Sequence, residues 1–186
     1  KSNMSYKLKK THSIWFTGLP SSGKTSIGKF LLKKLSNTSL PVILIDADEF
    51  KNILFDKRKY TKTERLNSTK KFVKLCKILL RTKILIIISA NHAFNDQRNF
   101  VRKKLKKKYS EIWINTPLKD CKKRDVKKLY NKAKKGLIKN LVGHDLKFEK
   151  PKKHNLKVNS KNNTLEYSCN LIISYLKNKN IIKNEH

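Results

Sequence analysis

Eight consecutive residues, Gly18-Leu19-Pro20-Ser21-Ser22-Gly23-Lys24-Thr25, carry two glycines, a lysine and a hydroxyl at the spacing G-x-x-x-x-G-K-[ST]. That spacing suits a phosphate cradle. Glycines let successive backbone N–H groups turn toward phosphate oxygens, and a helix opening at Lys24 would add its positive end. Lys24 then reaches the β- and γ-phosphates of ATP, and the Thr25 hydroxyl holds Mg²⁺. The donor-binding set is read as these eight residues together with Ser26. A second constellation follows the apolar run Val42-Ile43-Leu44-Ile45: two carboxylates, Asp46 and Asp48, separated by one alanine. Ligands of open α/β sheets sit at the carboxyl ends of strands, so both acids are expected to face the phosphates. Asp48 is assigned to accept or position the proton of an attacking hydroxyl, and Asp46 to lie nearer the metal. The alternative for either acid singly is a helix cap.

Elements that could position these groups alternate between short apolar runs and helical patterns, as βαβ units do. Strands are expected over 13–17, 42–46, 84–89, 111–115 and 155–158, and helices over 24–35, 63–80, 96–107, 118–125 and 164–176. The fold class is therefore α/β, a mostly parallel sheet with helices on both faces, and the family resemblance described below implies that it is the five-stranded sheet of a P-loop kinase fold. Residues 126–151 are rich in lysine, contain Gly136 and Gly143, and show little apolar periodicity. So long an irregular stretch in a compact domain reads as a lid. The 186 residues suit one domain, with frayed ends expected at 1–10 and 178–186.

Composition excludes several classes. No apolar run approaches the roughly 18 residues that span a bilayer, and the basic first ten residues lack the apolar core of a signal peptide. Three scattered cysteines, Cys76, Cys121 and Cys169, do not make a disulfide framework or a zinc site. A reducing cytoplasm is the expected location. The formal charge of +33 raises the question of nucleic acid. However, 40 of the 46 cations are lysines spread along the whole chain, whereas RNA-binding surfaces interleave cations with stacking aromatics. The run 103–108 reads as the solvated face of a helix. The charge is expected to attract a small anionic ligand and make its binding salt-sensitive.

Beyond the phosphate loop, the chain resembles the adenylylsulfate kinase family from about residue 13 to 160. Trp15-Phe16-Thr17-Gly18-Leu19 resembles its entry to the loop, and Asp46-Ala47-Asp48 its D-G-D motif. Tyr60-Thr61-Lys62-Thr63-Glu64-Arg65 falls where the family has F-S-x-x-D-R. The stretch from Cys121 through Arg124, Asp125, Lys127, Leu129, Tyr130 and Ala133 to Gly136 resembles C-x-x-R-D-P-K-G-L-Y-x-K-A-x-x-G. Val142-Gly143-His144-Asp145 and Phe148-Glu149-Lys150-Pro151 resemble T-G-I-D and Y-E-x-P. The resemblance implies Mg·ATP-dependent phosphorylation of the 3'-hydroxyl of adenylylsulfate, within sulfate assimilation. By position it implies that Arg65 grips the acceptor's anionic end, Tyr60 stacks on its base, and Arg124 and Lys127 belong to the lid. Whether the chain forms a homodimer stays open.

Departures from the family pattern collect on the acceptor side. Its arginine after the D-G-D motif is Lys51, which cannot pair bidentately with an anion. Its asparagine after D-R is Ser68, with Asn67 adjacent and able to compensate, its F-I-S-P loop is Ala90-Asn91-His92-Ala93, and its lid phenylalanine is Leu141. A base–aromatic stack contributes about 1–3 kcal/mol, so a second acceptor stays open: another nucleoside 5'-diphosphate derivative, such as the cytidine diphosphoramidate used by kinases of similar sequence. The third reading is a nucleic-acid-binding P-loop protein. Asn91 and His92 are expected at the acceptor site, where His92 could titrate near neutral pH or be a hydrogen-bonded loop residue. His12, His144, His154 and His186 read as surface residues.

Overall fold

The structure, a computed structural model, describes residues 5–50 and 61–185. In chain order it contains β1 (Ser5–Leu8), β2 (His12–Thr17), α1 (Lys24–Ser36), β3 (Val42–Asp46), α2 (Lys62–Leu79) and β4 (Leu85–Ser89). Then come α3 (Asn95–Leu105), a 3₁₀ turn (Lys106–Lys108), β5 (Tyr109–Asn115), α4 (Leu118–Arg124) and α5 (Leu129–Lys134), followed by β6 (Leu156–Asn159), α6 (Leu165–Asn178) and β7 (Ile182–Glu185). Strands β3-β4-β2-β5-β6 form one sheet in that spatial order, and each of its neighbouring pairs is parallel. The five strands and five main helices stand where apolar runs and helical periodicity placed them, within one to three residues.

Parallel strands buried on both faces need apolar residues at every position. β4, Leu-Ile-Ile-Ile-Ser, is buried throughout. Its alternate side chains divide the core: Leu85 and Ile87 join Ile14, Phe16, Ile112 and Ile114 under Leu31 and Leu35 of α1 and Ile172 and Leu176 of α6. Ile86 and Ile88 join Trp15 under Phe72 and Cys76 of α2 and Val101 and Leu105 of α3. The start of α2 is set by a capping box: the Glu64 N–H donates to Thr61 Oγ1 at 3.3 Å and the Thr61 N–H donates to Glu64 Oε2 at 3.2 Å, satisfying two orphan donors of the first turn.

Three expectations are corrected. Among the described residues the ends are paired: β1 and β7 form an antiparallel ribbon, Ser5 opposite Glu185 and Leu8 opposite Ile182, with Tyr6, Leu8 and Ile182 in the core. Single apolar residues among lysines and asparagines hid that alternation. The run 103–108 is not one helical face, because α3 ends at Leu105 and Lys106 takes a left-handed φ of 48°. The segment 126–151 is not irregular throughout; it contains α5, whose Tyr130 and Ala133 bury with Cys121 and Leu141 into a small core of their own.

Leu31 lies at the junction of α1 and the sheet and is fully buried. Leu31→Ala should lower stability by about 2–5 kcal/mol in denaturant unfolding. A loss within experimental error of zero would contradict this packing.

Candidate active site

Both glycines suit the turn between β2 and α1, Gly18 by lack of space and Gly23 by backbone conformation. A Cβ on Gly18 would stand 2.5 Å from the Ile114 carbonyl oxygen, a backbone atom of β5 that cannot yield. Gly23, immediately before α1, has φ +100°, which is strained for any residue with a Cβ. Between them the Ser22 N–H closes onto the Leu19 carbonyl at 3.2 Å. The Lys24 ammonium turns back over this loop and donates to Gly18 O at 3.0 Å, Leu19 O at 2.7 Å and Ser22 Oγ at 3.3 Å. Burial pushes its pKa down from the ordinary lysine range to about 8, while the nearby charge of Asp48 opposes that shift.

Asp46 ends β3, is 2% exposed, and accepts the Thr25 hydroxyl at Oδ2 at 2.7 Å. Its Oδ1 accepts the Asp48 N–H at 2.9 Å. One acid therefore ties the first helical turn to the strand end and turns the chain so that Asp48 faces the cleft. Ser89 Oγ, at the end of neighbouring β4, lies 3.5 Å from the Thr25 hydroxyl. This pocket of hard oxygens fits Mg²⁺, which takes one or two protein oxygens and fills its octahedron from phosphates and water. Asp48 reaches the segment 126–151, the lid expected from sequence: its Oδ2 meets the Lys127 ammonium at 2.5 Å, with both side chains about half exposed.

Arg124, at the end of α4, approaches the loop from the other side. Its guanidinium donates to Ser160 O at 2.9 Å and Ser160 Oγ at 3.4 Å. Ser160 Oγ and Thr116 Oγ1 both donate to Ser22 O, at 2.7 and 2.9 Å. Arg124 is thus not engaged in an ion pair with Asp125, whose carboxylate instead accepts the Tyr130 and Asn131 N–H groups and caps α5. The lid rests on the phosphate loop through Tyr130, whose hydroxyl donates to Pro20 O at 3.2 Å.

One cleft of about 890 Å³ is lined by Pro20 to Ser26, Asp46, Asp48, Arg124 and Lys127 together with Arg65, Ser68, Asn91, His92 and Leu141. The structure so brings together the sequence-derived donor and acceptor sets. Gly18 and Leu19 belong to the loop but do not line the cleft, while Lys51 and Tyr60 lie outside the described residues. Arg65 donates to the lid carbonyl of Asn140 at 3.0 Å, and the Ser68 hydroxyl bonds back to Glu64 O at 2.9 Å. Leu141 closes the lid wall with Leu129 and Ile138. Thr116, Ser160 and Ser89 were missed by sequence reasoning, although each follows or ends a parallel strand, where such contacts concentrate.

Burial decides between the two readings of His92 and corrects that of His12. His92 is 3% exposed, and burial, with Arg98 adding to it, pushes its pKa down to about 3. It is a neutral loop residue packed against Trp15, with ring centroids 4.9 Å apart and the planes tilted by 44°, and does not titrate near neutrality. His12 is not on the surface; it is buried at the start of β2, with Nε2 2.8 Å from Ser110 Oγ.

The adenylylsulphate kinase family model matches residues 10–159. The chain belongs to that family. It is a kinase, a phosphotransferase with an alcohol group as acceptor. The curated adenylyl-sulfate kinase of Clostridium acetobutylicum is 34% identical over 91% of this chain and 84% of its own length. The cytidine diphosphoramidate kinase of Campylobacter jejuni is 37% identical over 88% of this chain and 95% of its own. Among solved structures, the Mycobacterium tuberculosis APS kinase in complex with AMPPNP and APS superposes with a TM-score of 0.86 at 25% identity, covering 90% of this chain and 98% of that one. No helix among the described residues is long and apolar enough to cross a membrane.

The Lys24 environment dictates a pH dependence. Its ammonium is kept below about pH 8 and lost above it. Its burial is therefore a cost present at low pH and relieved as pH rises, while its attraction for phosphate moves the opposite way. ATP affinity, measured by titration calorimetry, should fall from pH 7 to pH 9, and Lys24→Ala should bind weakly with that slope removed. An affinity that rises over this span would contradict the placement of Lys24.

Proposed function

We propose that the protein transfers the γ-phosphoryl group of Mg·ATP to the 3'-hydroxyl of adenylylsulfate, as a cytoplasmic step of sulfate assimilation. The observation that carries this reading is that Lys24, Thr25, Asp46 and Asp48 line the same cleft as Arg65, Ser68, Asn91 and Leu141. The phosphate loop and Lys24 hold the donor's β- and γ-phosphates. Thr25 and Asp46 are the residues that would hold Mg²⁺, which offsets charge on the transferring group. Asp48 takes the hydroxyl proton as the new O–P bond forms and the bond to the β-phosphate oxygen breaks. For that it must exchange its Lys127 contact for the acceptor. Lys127 and Arg124 then stand as fixed cations beside the phosphates in a site shielded from water. The acceptor is a small nucleotide, and the chain's charge draws it in without making the protein a nucleic-acid binder.

A specific observation favours a second acceptor. No aromatic side chain of the lid lines the cleft; Val126, Leu129, Ile138 and Leu141 are aliphatic, and a pyrimidine loses less stacking than adenine does at such a wall. The Campylobacter jejuni relative is named for cytidine diphosphoramidate. One assay separates the readings: kcat/KM of ADP release with adenylylsulfate and with cytidine diphosphoramidate at equal ATP. A tenfold or greater preference for adenylylsulfate supports the first reading and the reverse preference replaces it with the second. Turnover of neither sinks both. In the first case Leu141→Phe should lower the adenylylsulfate KM with kcat unchanged, because a stacked ring adds uniform binding.

With whichever acceptor is turned over, Asp48→Asn should reduce kcat by about 10²-fold, the scale of general-base catalysis, and leave the ATP dissociation constant unchanged. If ATP binding weakens instead while kcat holds, Asp48 serves the metal and not the hydroxyl.

A further inference from the structure

Two adjacent side chains in the first turn of α3, Gln97 and Arg98, are 3% and 2% exposed. Gln97 reaches α2: its Nε2 donates to Arg65 O at 3.1 Å and Thr69 Oγ1 at 2.9 Å. Arg98 reaches four other residues. Its Nη1 donates to His92 O at 2.5 Å, and its Nη2 donates to Glu149 O and Asn95 Oδ1, each at 2.6 Å. Its Nε faces Glu111 Oε1 on β5 at 3.3 Å, and Glu111, 1% exposed, also meets Arg102 at 2.6 Å. Taking a guanidinium and a carboxylate out of water is expensive, and an apolar pair of similar volume would often pack as stably. A lysine could keep the charge but not the planar fork that reaches several acceptors together.

What the fork joins is informative. The His92 carbonyl also accepts the Thr17 hydroxyl at 2.7 Å, one residue before the phosphate loop, and Asn91 and His92 line the cleft. Glu149 lies where the lid returns to the body: its N–H donates to Ala93 O at 3.0 Å and its Oε2 accepts the Asn95 N–H at 2.7 Å. We propose that Arg98 is a positioning residue for the acceptor half of the cleft. By fixing the His92 and Glu149 carbonyls with one guanidinium, it makes the 91–94 loop and the descending end of the lid a single unit. The donor loop is held chiefly by other contacts, Lys24 on the Gly18 and Leu19 carbonyls and Ser160 and Thr116 on Ser22 O. The inference rests on the reading that this cleft binds a phosphoryl acceptor.

The test uses Arg98→Lys, the paired Arg98→Met/Glu111→Leu replacement, which leaves no buried charge unpartnered at those two positions, and Glu149→Ala at a side chain that is one-third exposed. Each is read for melting temperature, for KM of ATP and of acceptor, and for amide hydrogen exchange. In variants that fold, acceptor KM should rise at least tenfold for the Arg98 variants and about threefold for Glu149→Ala, with the ATP KM within twofold. The amides of Asn95 and Glu149 should exchange at least tenfold faster while that of Ile27, bonded to Gly23 O, keeps its protection. A folded paired variant with wild-type acceptor KM and protection would overturn the proposal, as would a parallel rise in both KM values. Should the Arg98 variants fail to fold, unchanged acceptor KM and Asn95 exchange in Glu149→Ala overturns it. If the wild-type protein turns over no acceptor, the functional reading fails and the amide exchange still decides this inference.

Discussion

A buried ammonium held by three neutral oxygens is the interaction on which this molecule turns. Lys24 has given up water for Gly18 O, Leu19 O and Ser22 Oγ, and none of these returns a full negative charge. A cation in that setting is a strong attractor for phosphate, because the low-dielectric surroundings that lower its pKa also strengthen its pull on an anion. The loop geometry that supplies those carbonyls depends in turn on β2 lying between β4 and β5. Only there does Gly18 back directly onto the Ile114 carbonyl, and only a parallel sheet delivers Asp46, Ser89 and Ser160 to the same edge as the loop.

The remaining cleft is organised around that donor end by contacts between backbone and side chain. Ser160 and Thr116 fasten the far strands to Ser22 O, Tyr130 sets the lid on Pro20, and the Asp48–Lys127 pair spans the opening. A half-exposed pair of that kind contributes under about 1 kcal/mol, so it can be exchanged for a ligand at small cost. The buried Arg98–Glu111 pair is of the opposite kind, since neither side chain can leave for water.

Much of the fold was legible because its physics is local and periodic. β4 announces itself as an unbroken run of large aliphatics, the glycines at 18 and 23 sit where the backbone excludes a side chain, and Thr61 with Glu64 marks the start of α2. The terminal ribbon was illegible because its pairing partners are 180 residues apart in Ser5 and Glu185 and each strand has only four residues. Short α5 escaped for a similar reason: its two buried residues, Tyr130 and Ala133, are too few to set a period. In the site, the charged and glycine positions could be read directly, whereas Thr116, Ser160 and Arg98 act through ordinary hydrogen bonds whose partners are distant in sequence. The burial that silences His92 is tertiary, and no neighbour in the chain reports it.

Identification of the phosphorylated product tests the central claim most directly. Phosphorus NMR of the reaction of ATP with the preferred nucleotide acceptor should show ADP together with a new phosphomonoester on the ribose 3' position, in equal amounts. ADP accompanied only by inorganic phosphate, or a phosphate added to the acceptor's terminal phosphoryl group, would contradict the account.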